Sequence, residues 1–131
     1  MSGLHIDIVT PERLVLSGEA LEVRVPGWEG QFGVLPEHDM FLALLRAGVC
    51  TVIDSENRET RYLVGRGFAE AGPDKVTVLT DSCQPAGDID KDQAKKDLAE
   101  AEAEMADLDP LSEAFRGVQA RAEHARARLD A

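Results

Sequence analysis

Residues able to do chemistry are few in this chain and widely scattered. The histidines are His5, His38 and His124, and the cysteines are Cys50 and Cys83. No His-x-x-x-His or Cys-x-x-Cys spacing sets two ligands side by side, so no metal centre is expected. Asp88, Asp90 and Asp92 alternate like the opening of a calcium loop, but the Gly and Glu such a loop needs at its sixth and twelfth positions are missing. These acids read instead as the start of a helix. Gly65-Arg66-Gly67-Phe68 resembles half of a phosphate loop. It follows one strand and leads into another, so it offers no helix N-terminus to an anion and reads as a tight strand crossing or bulge. Ser17, Ser55, Ser82 and Ser112 have no histidine beside them in sequence, and a Ser-His-Asp set would have to assemble in space. The expectation is a module without catalysis. Cys50 and Cys83 make no framework of crosslinks and read as small buried hydrophobes in a reducing compartment.

One segment invites a binding role: Pro26-Gly27-Trp28-Glu29-Gly30-Gln31-Phe32-Gly33-Val34-Leu35-Pro36-Glu37-His38-Asp39. Glycines at a spacing of three, together with two prolines, dictate a stiff and tightly turned loop. It holds the only tryptophan, with Phe32 nearby. Aromatics on a rigid loop are effective anchors for a protein partner. Two readings stand: a docking surface carrying Trp28, Gln31, Glu37 and His38, or Trp28 and Phe32 closing one end of a β-structure.

The elements that must position these residues fall into two halves. Ten of the eleven glycines lie before residue 88, whereas the 44 residues after Gly87 contain 11 alanines. The boundary is placed at residues 84–88, giving a β-domain over 1–85 and a helical domain over 86–131. In the first half, Leu4, Ile6 and Ile8 share one strand face, and Leu21, Val23 and Val25 repeat the pattern. Runs 49–53, 60–64 and 75–79 are β-branched and read as strands. Ser17-Gly18, Pro26-Gly27, 54–58 and 72–75 read as turns, the last two as hairpin tips. Short strands with close-spaced turns predict an antiparallel sandwich or flattened barrel. No βαβ rhythm occurs, which disfavours a parallel nucleotide-binding sheet.

In the second half, Ala94, Leu98, Ala101, Met105 and Leu108 form one helical stripe. Leu111, Phe115, Val118, Ala122, Ala125 and Leu129 form another. Asp109-Pro110 divides them. Asp88 or Asp90 caps the first helix and Ser112 the second, with Glu113 in its first turn. Two helices of about 20 residues joined so closely lie antiparallel. Alanine buries little area, so the seam is thin and the hairpin is marginal alone. It is either a fixed appendage or an element that changes conformation, and removal of residues 88–131 is expected to leave the sandwich folded.

A net charge of −11 excludes a phosphate-binding basic face, hence nucleic acid, and argues against adhesion to anionic lipid. No apolar run is long enough to span a bilayer. Met1-Ser2-Gly3-Leu4-His5-Ile6-Asp7 lacks the grammar of a secretory leader.

With these blocks in order, the chain resembles the epsilon subunit of bacterial F-type ATP synthase over essentially its whole length. The run from Gly27 to His38 is similar to that family's Gly-x-x-Gly-x-x-Gly-hydrophobic-x-Pro-x-His signature. Ile8-Val9-Thr10-Pro11-Glu12-Arg13, Leu44-Leu45-Arg46-Ala47-Gly48, Gly65 to Glu70 and Val76 to Asp81 match further blocks at agreeing spacing. The resemblance implies a β-sandwich followed by a two-helix hairpin, in a non-catalytic subunit of the central rotor stalk. Its partners would be the gamma subunit and the c ring, contacted through Trp28, Gln31, Phe32, Glu37 and His38, with transient contact to alpha and beta through the hairpin. The place implied is the cytoplasmic side of the bacterial inner membrane, peripheral and held there by a proton-translocating complex. It also implies that the hairpin switches between compact and extended forms, the extended one inhibiting ATP hydrolysis. Met40 stands where the family carries Pro. Relatives that bind ATP carry Ile/Leu-Asp-x-x-Arg-Ala. Here Ile89, Asp90, Gln93 and Ala94 occupy those positions, with Gln93 replacing the arginine, and His124 and Arg128, with Arg121 and Arg126, supply part of the basic set. Gln93 offers no planar cation, so the nucleotide site is degenerate and no cofactor is assigned. The second reading makes the hairpin an ATP sensor.

Overall fold

Alternation decides the first layer: Leu4, Ile6 and Ile8 are buried, while His5 and Asp7 face outward. The computed structural model describes residues 3–131. Met1 and Ser2, the start of the N-terminal run considered above, lie outside the described residues. Ten strands come first: β1 (Leu4–Val9), β2 (Leu14–Ala20), β3 (Glu22–Gly27), β4 (Gly30–Val34), β5 (Phe41–Leu45), β6 (Gly48–Ile53), β7 (Glu59–Val64), β8 (Gly67–Ala71), β9 (Lys75–Thr80) and β10 (Cys83–Pro85). A single 3-10 turn at Ala86–Asp88 leads to α1 (Lys91–Ala106) and α2 (Glu113–Asp130).

The strands run in the order β10-β7-β6-β3-β5-β8-β9-β1-β2, with β4 hydrogen-bonded to β3. The β3–β5 junction is a single residue pair, Gly27 opposite Leu45, and there the sheet folds over into two layers. This is the sandwich, or near-closed barrel, that the alternation predicts. Its pairs are antiparallel except β1 with β9. That parallel pair joins strands far apart in the chain, the long connection being the rest of the sandwich. The core between the layers holds Leu4, Ile6, Ile8, Val23, Val25, Leu45, Val64, Val76 and Val78, with Cys50 among them. Cys50 and Cys83 are free thiols. Burial pushes the Cys50 thiol up to about 12.

Two turn signals lie inside strands. Ser17-Gly18 sits in β2, paired with Asp7 and Ile6. Pro26-Gly27 ends β3, opposite Gln31 and Gly30. Small polar and Gly/Pro residues are tolerated at sheet edges and strand ends, so composition overstated the turns. The tips at 54–58 and 72–75 are hairpin connections. Asp54 Oδ1 accepts from Glu56 N at 2.9 Å and Arg58 N at 3.0 Å, and Asn57 takes a positive φ of 65°.

The helices form as their periodicity requires, though shorter than expected, with 16 and 18 residues. Asp90 caps α1 through Gln93 N, and Ser112 caps α2 through Phe115 N. Leu111 therefore precedes the helix, 84% exposed, and is no part of its stripe. The seam is Ala101, Val118 and Ala122 with Leu98, Met105 and Leu108 beside them. Ion pairs flank it: Arg128–Asp97 at 2.7 Å and Arg121–Glu104 at 3.0 Å. Ala127, outside both stripes, is buried against Ala47 and Leu63 of the sandwich, with Ile89 packed alongside. The hairpin thus seats on the outer side of β6 and β7 through a small apolar contact.

Candidate functional site

The segment 26–39 is mostly a β-hairpin, not an irregular loop. β3 and β4 pair from Val23–Val34 to Gly27–Gly30, and the turn is Trp28-Glu29. Two of its glycines are dictated by crowding and backbone. A Cβ on Gly27 would lie 2.8 Å from Gly30 O, and Gly30 has φ +129°. The expectation of a stiff, close-packed turn holds, with strand pairing as its cause.

Around it the structure makes an aromatic rim. Phe32 packs edge-on to Phe41 at 5.3 Å, and His38 meets the same ring at 4.8 Å. Trp28, 47% exposed, stands at the hairpin tip and donates its backbone N–H to Leu44 O at 3.1 Å. Gly27, Trp28, Glu29, Gly30, Phe32 and β5 residues 41–44 enclose a groove of about 430 Å³. Gln31 is exposed on the far strand of the hairpin, away from this groove, beside Glu22 and Arg24. Glu37 lies in the loop after β4 with φ 68°, its N–H donating to Pro73 O at 2.6 Å. The fold thus gathers Trp28, Phe32 and His38 around β5 and leaves Gln31 and Glu37 exposed to either side. Phe32 also packs against the core, so it closes the sandwich as well as lining the rim.

Sequence reading missed what joins this rim. On the outer face of the layer β5-β8-β9-β1-β2, Leu44 pairs with Phe68, Phe68 with Leu79, Leu79 with Val9, and Val9 with Leu14. Five apolar side chains therefore form one row across five strands. Leu44 is 65% exposed, Leu14 55% and Phe68 39%. A bulge at Val15 makes the last pair, because it turns Leu14 outward while Val15 and Leu16 pack on the core. The neighbouring row opens on the exposed Leu42 and is otherwise polar: Glu70, Thr77, Asp7 and Ser17. A signal existed in the unbroken apolar run Phe41-Leu42-Ala43-Leu44-Leu45, where a half-solvated strand would alternate. Contiguous exposed apolar surface of this kind marks a docking face.

A serine does meet a histidine in space. His5 Nε2 lies 2.9 Å from Asp7 Oδ1 and 3.2 Å from Ser17 Oγ, and Nδ1 is 3.7 Å from Glu19. Both short contacts use the same ring nitrogen, whereas a nucleophilic relay needs serine and carboxylate on opposite nitrogens. The cluster orders a polar surface. The Ser17 hydroxyl, foremost among its partners, holds the Asp7 carboxyl below its ordinary value.

The residues of the nucleotide reading disperse. Asp90 is occupied as an N-cap, Ala94 is fully buried, and Ile89 joins the contact with Leu63. Gln93 Nε2 donates to Asp97 at 2.8 Å. Arg126 sits 3.8 Å from Glu102. Arg121, His124 and Arg128 do line one cleft, between the hairpin and Asp81-Ser82, together with Asp97 and Glu100. Two guanidiniums there face three carboxylates, and both are already paired, with Glu104 and Asp97.

Burial, then the charge of Arg128, pushes the His124 imidazole below its ordinary value of 6.5, against the pull of Asp81, Asp97 and Glu123. The unfolded chain thus takes up this proton first as pH falls. The stability contributed by neutral His124 is complete above 6.5 and is lost as pH falls through the lowered value. An NMR titration of its ring protons is expected to give an apparent pKa below that of an unstructured histidine. A value at or above 6.5 contradicts this.

The model of the ATP synthase delta/epsilon chain β-sandwich domain matches residues 3–86. The ATP synthase epsilon chain of Myxococcus xanthus is 42% identical over 131 residues, all of this chain and 96% of that one. That of Nitratidesulfovibrio vulgaris is 45% identical over 107 residues, 81% of this chain and 78% of that one. Among solved structures, a chain of the Euglena gracilis mitochondrial ATP synthase (OSCP/F1/c-ring) superposes with a TM-score of 0.84 at 21% identity, covering 97% of this chain and 79% of that one. A chain of the Tetrahymena thermophila mitochondrial ATP synthase central stalk and c-ring gives 0.70 at 14%, covering 97% and 94%. At these identities the structures speak for the fold.

Proposed function

We propose, since this chain belongs to the ATP synthase epsilon chain family, that it couples rotation of the c ring to ATP synthesis as a central-stalk subunit of the F1 sector. As a member of that family it is a non-catalytic subunit. It docks on gamma and the c ring, and is held peripherally at the cytoplasmic side of the bacterial inner membrane through the complex. Among the described residues no helix is long and apolar enough to cross a membrane. The observation that carries the reading is the apolar row from Leu44, beside the Trp28 rim, to Leu14. Sheet surface of this kind needs a partner, and a stiff sandwich suits transmission of torque. Trp28, Gln31, Phe32, Glu37 and His38 belong to the proposed partner surface.

The hairpin is proposed to regulate ATP hydrolysis through contact with alpha and beta. Its small apolar seat on Ala47 and Leu63 supports this, because little surface must be exposed for it to leave. Removal of residues 88–131 is expected to leave a sandwich that unfolds cooperatively, at a cost of about 1–2 kcal/mol from uncovering that seat. A molten truncated chain would make the helices part of the core.

An affinity tag on this chain is expected to recover gamma, then alpha and beta, under native conditions, and recovery of none removes the reading. Trp28→Ala and Gln31→Ala are expected to lower that recovery, Trp28→Ala by about tenfold or more, with little change in melting temperature. Equal loss of thermal stability would instead assign Trp28 to closing the sandwich.

A further inference from the structure

Arg66 touches both the rim and the hairpin. Its backbone is pinned in the crossing between β7 and β8. Arg66 O accepts from Asp81 N at 3.0 Å and from Thr80 Oγ1 at 3.3 Å. A Cβ on flanking Gly65 or Gly67 would collide with the Asp81 carboxylate or the Leu79 carbonyl. The side chain therefore swings from a fixed origin. Its guanidinium edge donates to Glu123 of α2, Nε to Oε2 at 2.9 Å and Nη2 to Oε1 at 3.2 Å. The guanidinium also lies over the Trp28 ring, within cation–π range, with Cζ 5.5 Å from the ring centroid. A planar cation can donate in its plane and stack through its face at once, and lysine cannot. Among the described residues this is the one ion pair between helices and sheets. The other polar contact there is Ala47 N to Glu123 at 3.5 Å.

We propose that Trp28 is a positioning residue for an Arg66–Glu123 latch, so that occupancy of the rim and docking of the helical hairpin are linked through one guanidinium. An unstacked arginine samples many rotamers. The cation–π contact with the ring removes some of them before Glu123 is engaged, so part of the ordering cost of the ion pair is already met. The linkage is reciprocal. A partner that displaces the Trp28 ring loosens the hairpin, and departure of the hairpin frees a cation at the rim. The link to a partner rests on the docking reading above; the latch itself stands on geometry alone.

The test uses the full chain with labelled methyl groups at Leu63 and Ala127, whose mutual contact reports docking. Glu123→Gln and Trp28→Leu are expected to move the Ala127 methyl resonance along one line toward its undocked position. Trp28→Leu is expected to lower the docked-to-undocked ratio about two- to fivefold, the worth of an exposed cation–π contact. Trp28→Phe keeps a ring face and is expected to restore most of the docked signal. Glu123→Gln is also expected to shift the emission of Trp28, the only tryptophan. Trp28→Leu leaving Ala127 in place, or Trp28→Phe behaving like Trp28→Leu, overturns the proposal. Recovery of the synthase subunits is scored on the same variants. Lost recovery with an unmoved Ala127 signal sinks the latch and keeps the docking reading. A moved signal with full recovery keeps the latch and sinks the docking reading.

Discussion

Gly67→Ala is expected to cost about 3 kcal/mol or more, a large share of the roughly 5–15 kcal/mol that holds a domain of this size. Gly67 opens β8 opposite Thr80 of β9. A Cβ there would collide with the Leu79 carbonyl oxygen and lie 2.8 Å from Thr80 Cα. These are backbone atoms of a paired strand, so no side chain can turn aside, and relief requires the two strands to separate. The strand affected carries Val76 and Val78 into the core. Gly117→Ala is the control. It lies within α2 with nothing within 4 Å of an added Cβ. There the change is expected to stabilise by about 0.5–1 kcal/mol, from helix propensity alone. Urea titrations of the two variants are therefore expected to shift in opposite directions. A Gly67→Ala midpoint within experimental error of the parent would show that β8 and β9 are not so closely apposed.

Phe68→Asp is expected to lower retention in the synthase complex by about 100-fold or more, while changing the stability of the free chain by less than about 1 kcal/mol. The asymmetry follows from position. Phe68 points outward in the apolar row between Leu44 and Leu79, so a carboxylate there is solvated in the free chain and desolvated without a partner once the face is covered. Leu44→Asp, one strand over, is expected to behave alike. Glu70→Gln lies on the polar row of the same face and is expected to change retention less than threefold, because a charge at the margin of an interface contributes little. Competition of tagged variants against the parent for assembly measures all three. Retention of Phe68→Asp at parental level would move the partner surface elsewhere.

The elements were legible where their cause is local. Period-two alternation in β1 and β3, the heptad spacing of α1 and α2, the Ser112 cap and the tip at 54–58 all depend on residues within one or two turns of each other. Such patterns failed where a residue type has two uses. Ser17-Gly18 serves an edge strand as well as it would a turn, and Leu111 fits a helical spacing although the helix begins after its cap. In the candidate site, the tight Gly27–Gly30 turn was legible, whereas the sequence left open whether Trp28 docks a partner or closes the sandwich, because the direction in which a ring points from a turn depends on what packs beside it.

By itself the sequence determined that there would be a β-sandwich, a thin-seamed pair of helices and an aromatic turn, because each follows from the spacing of neighbouring residues. Only the tertiary structure decided that Leu44, Phe68, Leu79, Val9 and Leu14 stand in one row, and that Arg66 reaches Glu123 across 57 residues while lying over the Trp28 ring. The physical reason is register. Which side chains share a face of a sheet depends on pairings between distant strands, here including a parallel one and a bulge, and a slip of one residue would turn every member of the row to the other side.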